Sequence, residues 1–88
     1  MRKILATPRF ERRLERFLEH HPDLEQAVEE AMMLIVSDDA DSLRVHGLKG
    51  VLKGCRAARI SYEYRIVFVL KRKAVCFVDI GMHDDVYR

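Results

Sequence analysis

Residues 58–70 read ARISYEYRIVFVL, and their pattern guides the interpretation of the whole chain. Every even position in this stretch is apolar or aromatic, whereas the odd positions from Arg59 to Arg65 are polar or charged. A period of two is typical of β-strands that bury one face. The run is too long for one ordinary strand, so we predict two strands joined by a turn near Ser61–Glu63. The even positions, Tyr62 and Tyr64 included, are predicted to form the buried face.

A further strand is predicted on the C-terminal side of this hairpin. Lys71–Lys73 has the composition of a turn, and Ala74–Ile80 is apolar on both faces before Gly81 ends it. A strand without polar alternation is typical of a central position in a sheet. Strands that follow one another through short turns form an antiparallel meander.

The N-terminal part of the chain has helical periodicity. After a short β-leaning segment at Arg2–Leu5, Thr7 and Pro8 form a helix-start signal, because threonine caps a helix and proline suits its first turn. Apolar residues recur on one stripe until Pro22, and a second amphipathic helix is predicted over Asp23–Ser37. Two helices joined by so short a link form a helical hairpin.

These elements predict an α+β fold with the order β-α-α-β-β-β. Its sheet is four-stranded and mainly antiparallel, and the N-terminal helical hairpin covers one face. The other face stays open and carries Arg59, Glu63 and Arg65. A chain of 88 residues corresponds to a single domain spanning residues 1–88.

Length and composition exclude several classes of protein. No apolar run approaches the ~18 residues that a membrane span needs, so we expect a cytoplasmic protein without a membrane partner. Cys55 and Cys76 lie 21 positions apart, which argues against a disulfide scaffold and a cysteine-based zinc site. No metal and no small-molecule cofactor are expected.

Charge is segregated along the chain. Residues 44–73 carry nine lysines and arginines against one acid, Glu63, whereas residues 23–41 carry seven acids and no base. A basic block inside a nearly neutral chain is a candidate surface for a polyanion. The alternative is a solvated basic face that balances the acidic helix.

Common catalytic motifs such as GxSxG, the P-loop, GxGxxG and HExxH do not occur. A candidate set of polar residues does occur in the β-region and at the C-terminus. RNA cleavage without a metal needs a base for the ribose 2′-OH, guanidinium groups for the phosphorane, an acid for the 5′-oxygen and an aromatic platform. The residues that supply these groups are His46, Arg59, Glu63, Arg65, His83 and Tyr87. Each also has a structural alternative, such as a turn position, an ion pair or packing against the sheet.

Three segments resemble the RelE/ParE superfamily of toxins from bacterial type II toxin–antitoxin modules. They are Val45–Gly50, Ala58–Phe68 and Ile80–Arg88. The likeness is closest to the YoeB and YafQ type, mRNA interferases that cut messenger in the ribosomal A site. In that group a histidine near the C-terminus and a following aromatic residue belong to the active site, and His83 and Tyr87 match them.

The resemblance assigns further roles within this set. Arg65 matches the arginine that opens the third strand, and His46 matches a histidine in the turn before the second strand. Arg59 and Glu63 stand where YafQ-like members carry a histidine and an aspartate. The glutamate of YoeB-like members falls near Ser42, which leaves His46 or Glu63 as the general base.

The resemblance implies a ribosome-dependent mRNA endonuclease whose partners are a cognate antitoxin, the ribosome and mRNA. Lys49, Lys53 and Arg56 would bind RNA by contacting phosphates, which positions a protein without reading sequence. One alternative is a ParE-like inhibitor of DNA gyrase, in which the same fold binds without catalysis. Another is a toxin that has lost its activity and persists as a binding partner.

Overall fold

A computed structural model describes residues 2–39, 43–50 and 53–82 of the chain. No helix within these ranges is long and apolar enough to cross a membrane. The elements follow the order β1 (Lys3–Ala6), α1 (Pro8–His20), a 3₁₀ turn (Pro22–Leu24), α2 (Glu25–Val36), β2 (His46–Gly47), β3 (Arg56–Arg59), β4 (Tyr64–Leu70) and β5 (Ala74–Met82).

The strands form one sheet in the order β1-β5-β4-β3-β2, in which β1 is parallel to β5 and all other pairs are antiparallel. The α+β class and the helices ahead of the meander are confirmed. The predicted number of four strands is wrong, because the described residues form five. The additional strand, β2, has only two residues, too few to show an alternating pattern, and it forms by backbone pairing with β3.

The predicted turns lie where the pattern placed them. Strand β3 ends at Arg59 and β4 begins at Tyr64, so the two strands are joined through residues 60–63. Strand β5 lies between β1 and β4, which confirms the central position inferred from its apolar faces. The prediction that Gly81 ends this strand is wrong, because Gly81 pairs with Arg65 of β4 and the strand continues to Met82.

The main core lies between the helices and one face of the sheet, which carries even-numbered residues of β3 and β4 and Val75, Phe77 and Ile80 of β5. Phe77 of β5 stacks on Phe10 of α1 with ring centroids 5.4 Å apart, and Phe68 of β4 lies 6.5 Å from Phe77 on the same side. Helix α2 contributes Val28 and Ile35 to the same cluster. Burial of aromatic and branched side chains supplies most of the free energy of folding in such a core.

Strand β5 is longer than its neighbour β1, and helix α1 completes its edge. β1 pairs with only the first four residues of β5. Beyond them, Thr7 Oγ1 donates to Val78 O at 3.2 Å and Arg13 Nε donates to Ile80 O at 3.1 Å. The Thr7 hydroxyl also accepts from Phe10 N–H at 3.0 Å, which caps α1.

Asp79 strengthens the attachment of α1 to this edge. Its Oδ1 lies 2.7 Å from Arg13 Nε and its Oδ2 lies 3.5 Å from Arg9 Nη2. Oδ1 also accepts from Ile80 N–H at 2.9 Å. Only 13% of the Asp79 side chain is exposed, so the two guanidinium groups and the amide offset the loss of water around its carboxylate.

Replacing Thr7 with valine removes the hydroxyl while keeping the shape of the side chain. Phe10 N–H and Val78 O would then both lose a partner, so we expect the free energy of unfolding to fall by about 1–2 kcal/mol. Urea denaturation measures this change. Thr7→Ser retains the hydroxyl and should stay close to wild type, and an equal loss in both variants would contradict the assignment.

Candidate functional site

The face of the sheet away from the helices carries the candidate polar residues. In an antiparallel sheet, directly paired residues point to the same face. His46 pairs with Ala57, and Arg59 pairs with Arg65. The intervening Ala58 belongs to the main core, so Ala57 and Arg59 point away from it, together with their partners His46 and Arg65. The structure thus brings His46, Arg59 and Arg65 to one face.

This face is only partly open to solvent. Ala57 and Val67 are buried there, and Leu48, Cys55 and Val78 pack against them in a second small cluster. The polar residues border that cluster. Arg59 and Arg65 lie at its end, beside the turn that joins β3 to β4, and His46 lies at its edge on β2.

Arg59 and Arg65 form a pair of like charges on adjacent strands. Because Ile60 N–H donates to Tyr64 O at 3.1 Å, the neighbouring Arg59–Arg65 pair is of the type without hydrogen bonds between its own backbone groups. In such pairs the Cα atoms are about 4.5 Å apart and the side chains lie close together. Like charges directly opposite each other destabilise a sheet.

One nitrogen of Arg65 fastens the turn between β3 and β4. Its Nη1 donates to Ser61 O at 2.9 Å, to Tyr62 O at 3.1 Å and to Tyr64 O at 3.1 Å. Hydrogen bonds from a charged donor are stronger than those between neutral groups. These contacts hold the turn against β4 and orient the guanidinium group of Arg65 on the same face as Arg59.

The tyrosines of this hairpin have different environments. Tyr64 is half-buried, with its ring 5.0 Å from Phe17 and 4.7 Å from His21, so its predicted core position is confirmed. Tyr62 is 82% exposed, so its predicted core position is wrong. The physical reason is that Tyr62 belongs to the turn, where the strand alternation no longer applies. Arg59 Cζ lies 5.4 Å from the centroid of the Tyr62 ring, within range of a cation–π contact.

Glu63 and His46 lie in the segments next to the arginine pair, the turn and β2 respectively. Glu63 is exposed and lies in the turn, not on the strand face where the pattern placed it. His46 is exposed on β2, and its Nδ1 lies 3.3 Å from Arg44 O. Since His46 is opposite Ala57, it is a diagonal neighbour of Arg59. The Cα atoms of such diagonal neighbours are typically about 7–8 Å apart.

Of the predicted RNA-binding residues, Arg56 lies on the face of the sheet opposite the candidate site. Lys49 and Lys53 are exposed, and Lys53 lies in the turn in which its N–H donates to Gly50 O at 3.0 Å. Arg56 points to the opposite face of the sheet from Arg59. There it lines a cleft of about 230 Å³ with Arg44, Ile35, Asp38, Val45, Phe68 and Leu70.

His83 and Tyr87 lie outside the described residues, as does Ser42. The last described position is Met82, which pairs with Tyr64 next to the Arg65–Gly81 pair. Within the described ranges no group of three or more His, Cys, Asp or Glu side chains could hold a metal ion.

One residue of the site was missed by the alternation of the sequence. Tyr62 lies at the turn and contacts Arg59, but its even number assigned it to the core. The signal that could have found it is the predicted turn at Ser61–Glu63, which interrupts the strand period at this position. Turn residues do not inherit the face of the strands that they connect.

Comparison of the sequence finds no matching family model and no matching curated protein. Comparison of the structure finds close matches. YafQ from E. coli strain BL21(DE3) superposes with a TM-score of 0.87 at 19% identity, over 100% of both chains. An E. coli DinJ-YafQ toxin-antitoxin complex gives 0.84 at 20% identity, over 99% of this chain and 98% of that one. The YoeB dimer from Staphylococcus aureus gives 0.77 at 19% identity, over 93% and 97%.

These matches show that the chain has the fold of the YafQ and YoeB toxins. They confirm the fold that the resemblance implied, with two helices ahead of a largely antiparallel sheet.

The two arginines should differ in their effect on stability. Arg65→Met removes the charged donor from three carbonyl groups, so the free energy of unfolding should fall by about 1–3 kcal/mol. Arg59→Met removes one of two facing like charges and leaves the backbone contacts of the turn intact, so it should change stability by less than about 0.5 kcal/mol. Urea denaturation of both variants makes the comparison. An equal loss would show that Nη1 of Arg65 does not hold the turn.

Proposed function

We propose that this chain, as one domain over residues 1–88, is a RelE/ParE-superfamily toxin of a type II toxin–antitoxin module. We propose further that it is a ribosome-dependent mRNA endonuclease acting in the bacterial cytoplasm. The observation that carries the proposal is the Arg59–Arg65 pair on one sheet face, with His46 on β2 at a diagonal position and Glu63 in the turn that joins β3 to β4. Guanidinium groups on two directly paired residues suit a phosphodiester that gains negative charge during the reaction.

The chemistry uses groups of the chain and balances without a co-reactant. A general base, His46 or Glu63, removes the proton from the ribose 2′-OH. The 2′-oxygen attacks the adjacent phosphorus, and Arg59 and Arg65 stabilise the charge on the phosphorane. The bond from phosphorus to the 5′-oxygen then breaks, and a general acid protonates that oxygen. The products are a 2′,3′-cyclic phosphate and a free 5′-hydroxyl.

His83 and Tyr87 enter this mechanism through their match to the superfamily. His83 serves as the acid or as the second proton-transfer group, because histidine exchanges protons readily near neutral pH. Tyr87 orients the substrate by stacking or by hydrogen bonding to a phosphate.

The remaining basic residues provide contacts that do not depend on RNA sequence. Lys49 and Lys53 are exposed, and Arg56 carries positive charge to the other face of the sheet. Such contacts attract messenger and ribosomal RNA through their phosphates.

An acidic segment of a cognate antitoxin is the proposed protein partner. The E. coli DinJ-YafQ complex, whose toxin has this fold, supports such a partner. The nine basic residues between positions 44 and 73 offer it the same complementarity that they offer RNA. Antitoxin binding would then neutralise the toxin by covering or distorting the RNA site.

The decisive experiment adds the purified protein to translating bacterial ribosomes with a defined messenger and maps the 5′ ends of the fragments. Wild-type protein should cut in the ribosomal A site. Arg59→Ala should slow cleavage by about 10²–10³-fold, because it removes one group that stabilises the phosphorane. His83→Ala should slow it by about 10²–10⁴-fold through the loss of proton transfer. Arg12→Ala, an exposed arginine of α1, is the matched control and should cut at the wild-type rate.

Two results would contradict the proposal. Cleavage unchanged in both Arg59→Ala and His83→Ala would place the chemistry elsewhere. Intact messenger with a protein that still arrests growth on expression would exclude the nuclease, and a gyrase supercoiling assay would then test the ParE-like alternative.

A further inference from the structure

Tyr62 is presented to solvent in an unusual way. It is 82% exposed, more than any other large hydrophobic side chain among the described residues. Its sequence neighbours Ser61 and Glu63 are polar, so it is not part of a larger apolar patch. A single exposed side chain by itself needs no explanation. What requires an explanation is that an exposed tyrosine is held in place by two arginines.

Both arginines of the candidate site act on Tyr62. Arg65 Nη1 donates to the carbonyl oxygen of Tyr62 at 3.1 Å, within the set of bonds that fastens the turn. Arg59 Cζ lies 5.4 Å from the centroid of the Tyr62 ring. The backbone is therefore anchored and the ring is supported by a cation, which reduces the entropy lost when a ligand contacts the ring.

We propose that Tyr62 stacks on a nucleobase of the RNA whose phosphate lies between Arg59 and Arg65. The inference rests on the proposed function and adds a positioning residue to it. The base of a nucleotide is covalently tied to its phosphate, so a flat aromatic ring beside a phosphate-binding pair meets the base of the same or the next nucleotide. The exposed part of the ring provides that surface, and stacking tolerates every base.

An RNA base explains Tyr62 better than a protein partner does. A stable protein interface buries roughly 1,200–2,000 Å² and has an apolar centre. Tyr62 stands between polar neighbours, with a guanidinium group against its ring. One ring beside two cations matches one base and its phosphates. An apolar protein surface fits less well, because the two guanidinium groups would lose their water without gaining an anionic partner.

The test measures single-turnover cleavage of messengers bound to ribosomes, with an abasic nucleotide placed in turn at each position of the A-site codon. For the wild type, one abasic position should slow cleavage about tenfold, which is the typical effect of losing one stacked base. Tyr62→Ala should slow cleavage of the intact messenger by a similar factor, and the same abasic position should slow it no further. Such non-additivity identifies the ring and that base as partners.

Two control variants separate stacking from other effects. Tyr62→Phe keeps the ring and should cleave like the wild type. Met33→Ala truncates another exposed side chain, on α2, and should leave both the rate and the abasic profile unchanged. Because Tyr62 is exposed, Tyr62→Ala is expected to fold, and its urea denaturation curve checks this.

The outcomes distinguish the inference from the function on which it rests. If the wild type cleaves and Tyr62→Ala cleaves equally well, the inference is overturned and the nuclease stands. The same holds if abasic positions slow both proteins equally. If Tyr62→Ala cleaves normally but releases its cognate antitoxin, the ring belongs to a protein interface and the inference is also overturned. If the wild type does not cleave at all, both proposals are overturned.

Discussion

The fold depends on how the free edge of β5 is satisfied. β5 has nine residues and β1 has four, so part of one β5 edge lacks a strand partner. Backbone groups left unpaired inside a protein cost free energy comparable to a lost hydrogen bond. Thr7, the cap of α1, and Arg13, in the middle of the helix, bind this edge through Val78 and Ile80. The helix is thereby fixed over the core, and β5 can continue to its pairing with the start of β4.

That pairing positions the candidate site. The far end of β5 supports β4 at Tyr64 and Arg65, and β4 in turn sets Arg65 opposite Arg59. The register thus forces two positive charges together, an arrangement that costs free energy unless something compensates for it. Carbonyl oxygens of the turn stabilise Arg65, and the Tyr62 ring contacts Arg59. The same geometry gives Arg65 a structural role in the turn beside the chemical role proposed for it.

The sequence predicted the elements better than it predicted the surfaces. The sequence correctly predicted three features: the period of two, the turn at residues 60–63 and the central position of β5. Each of them arises from local pattern and burial. Strand β2 could not be predicted from the sequence, since two residues cannot show a period. Arg56 and Arg59 belong to the same basic block, yet three positions along a strand place them on opposite faces. Tyr62 shows the converse error, in which a strand pattern was extended into a turn.

Local sequence alone was sufficient to establish the α+β class, the capped first helix and the hairpin, because capping, proline geometry and alternation act over a few residues. The pairing of Arg59 with Arg65, the exposure of Tyr62 and the anchoring of α1 by Asp79 required the folded chain. Each of these depends on register between segments or on contacts between residues far apart in sequence. A shift of one residue in such a register would move every side chain of the strand to the other face of the sheet. The amino-acid composition would be the same in both registers.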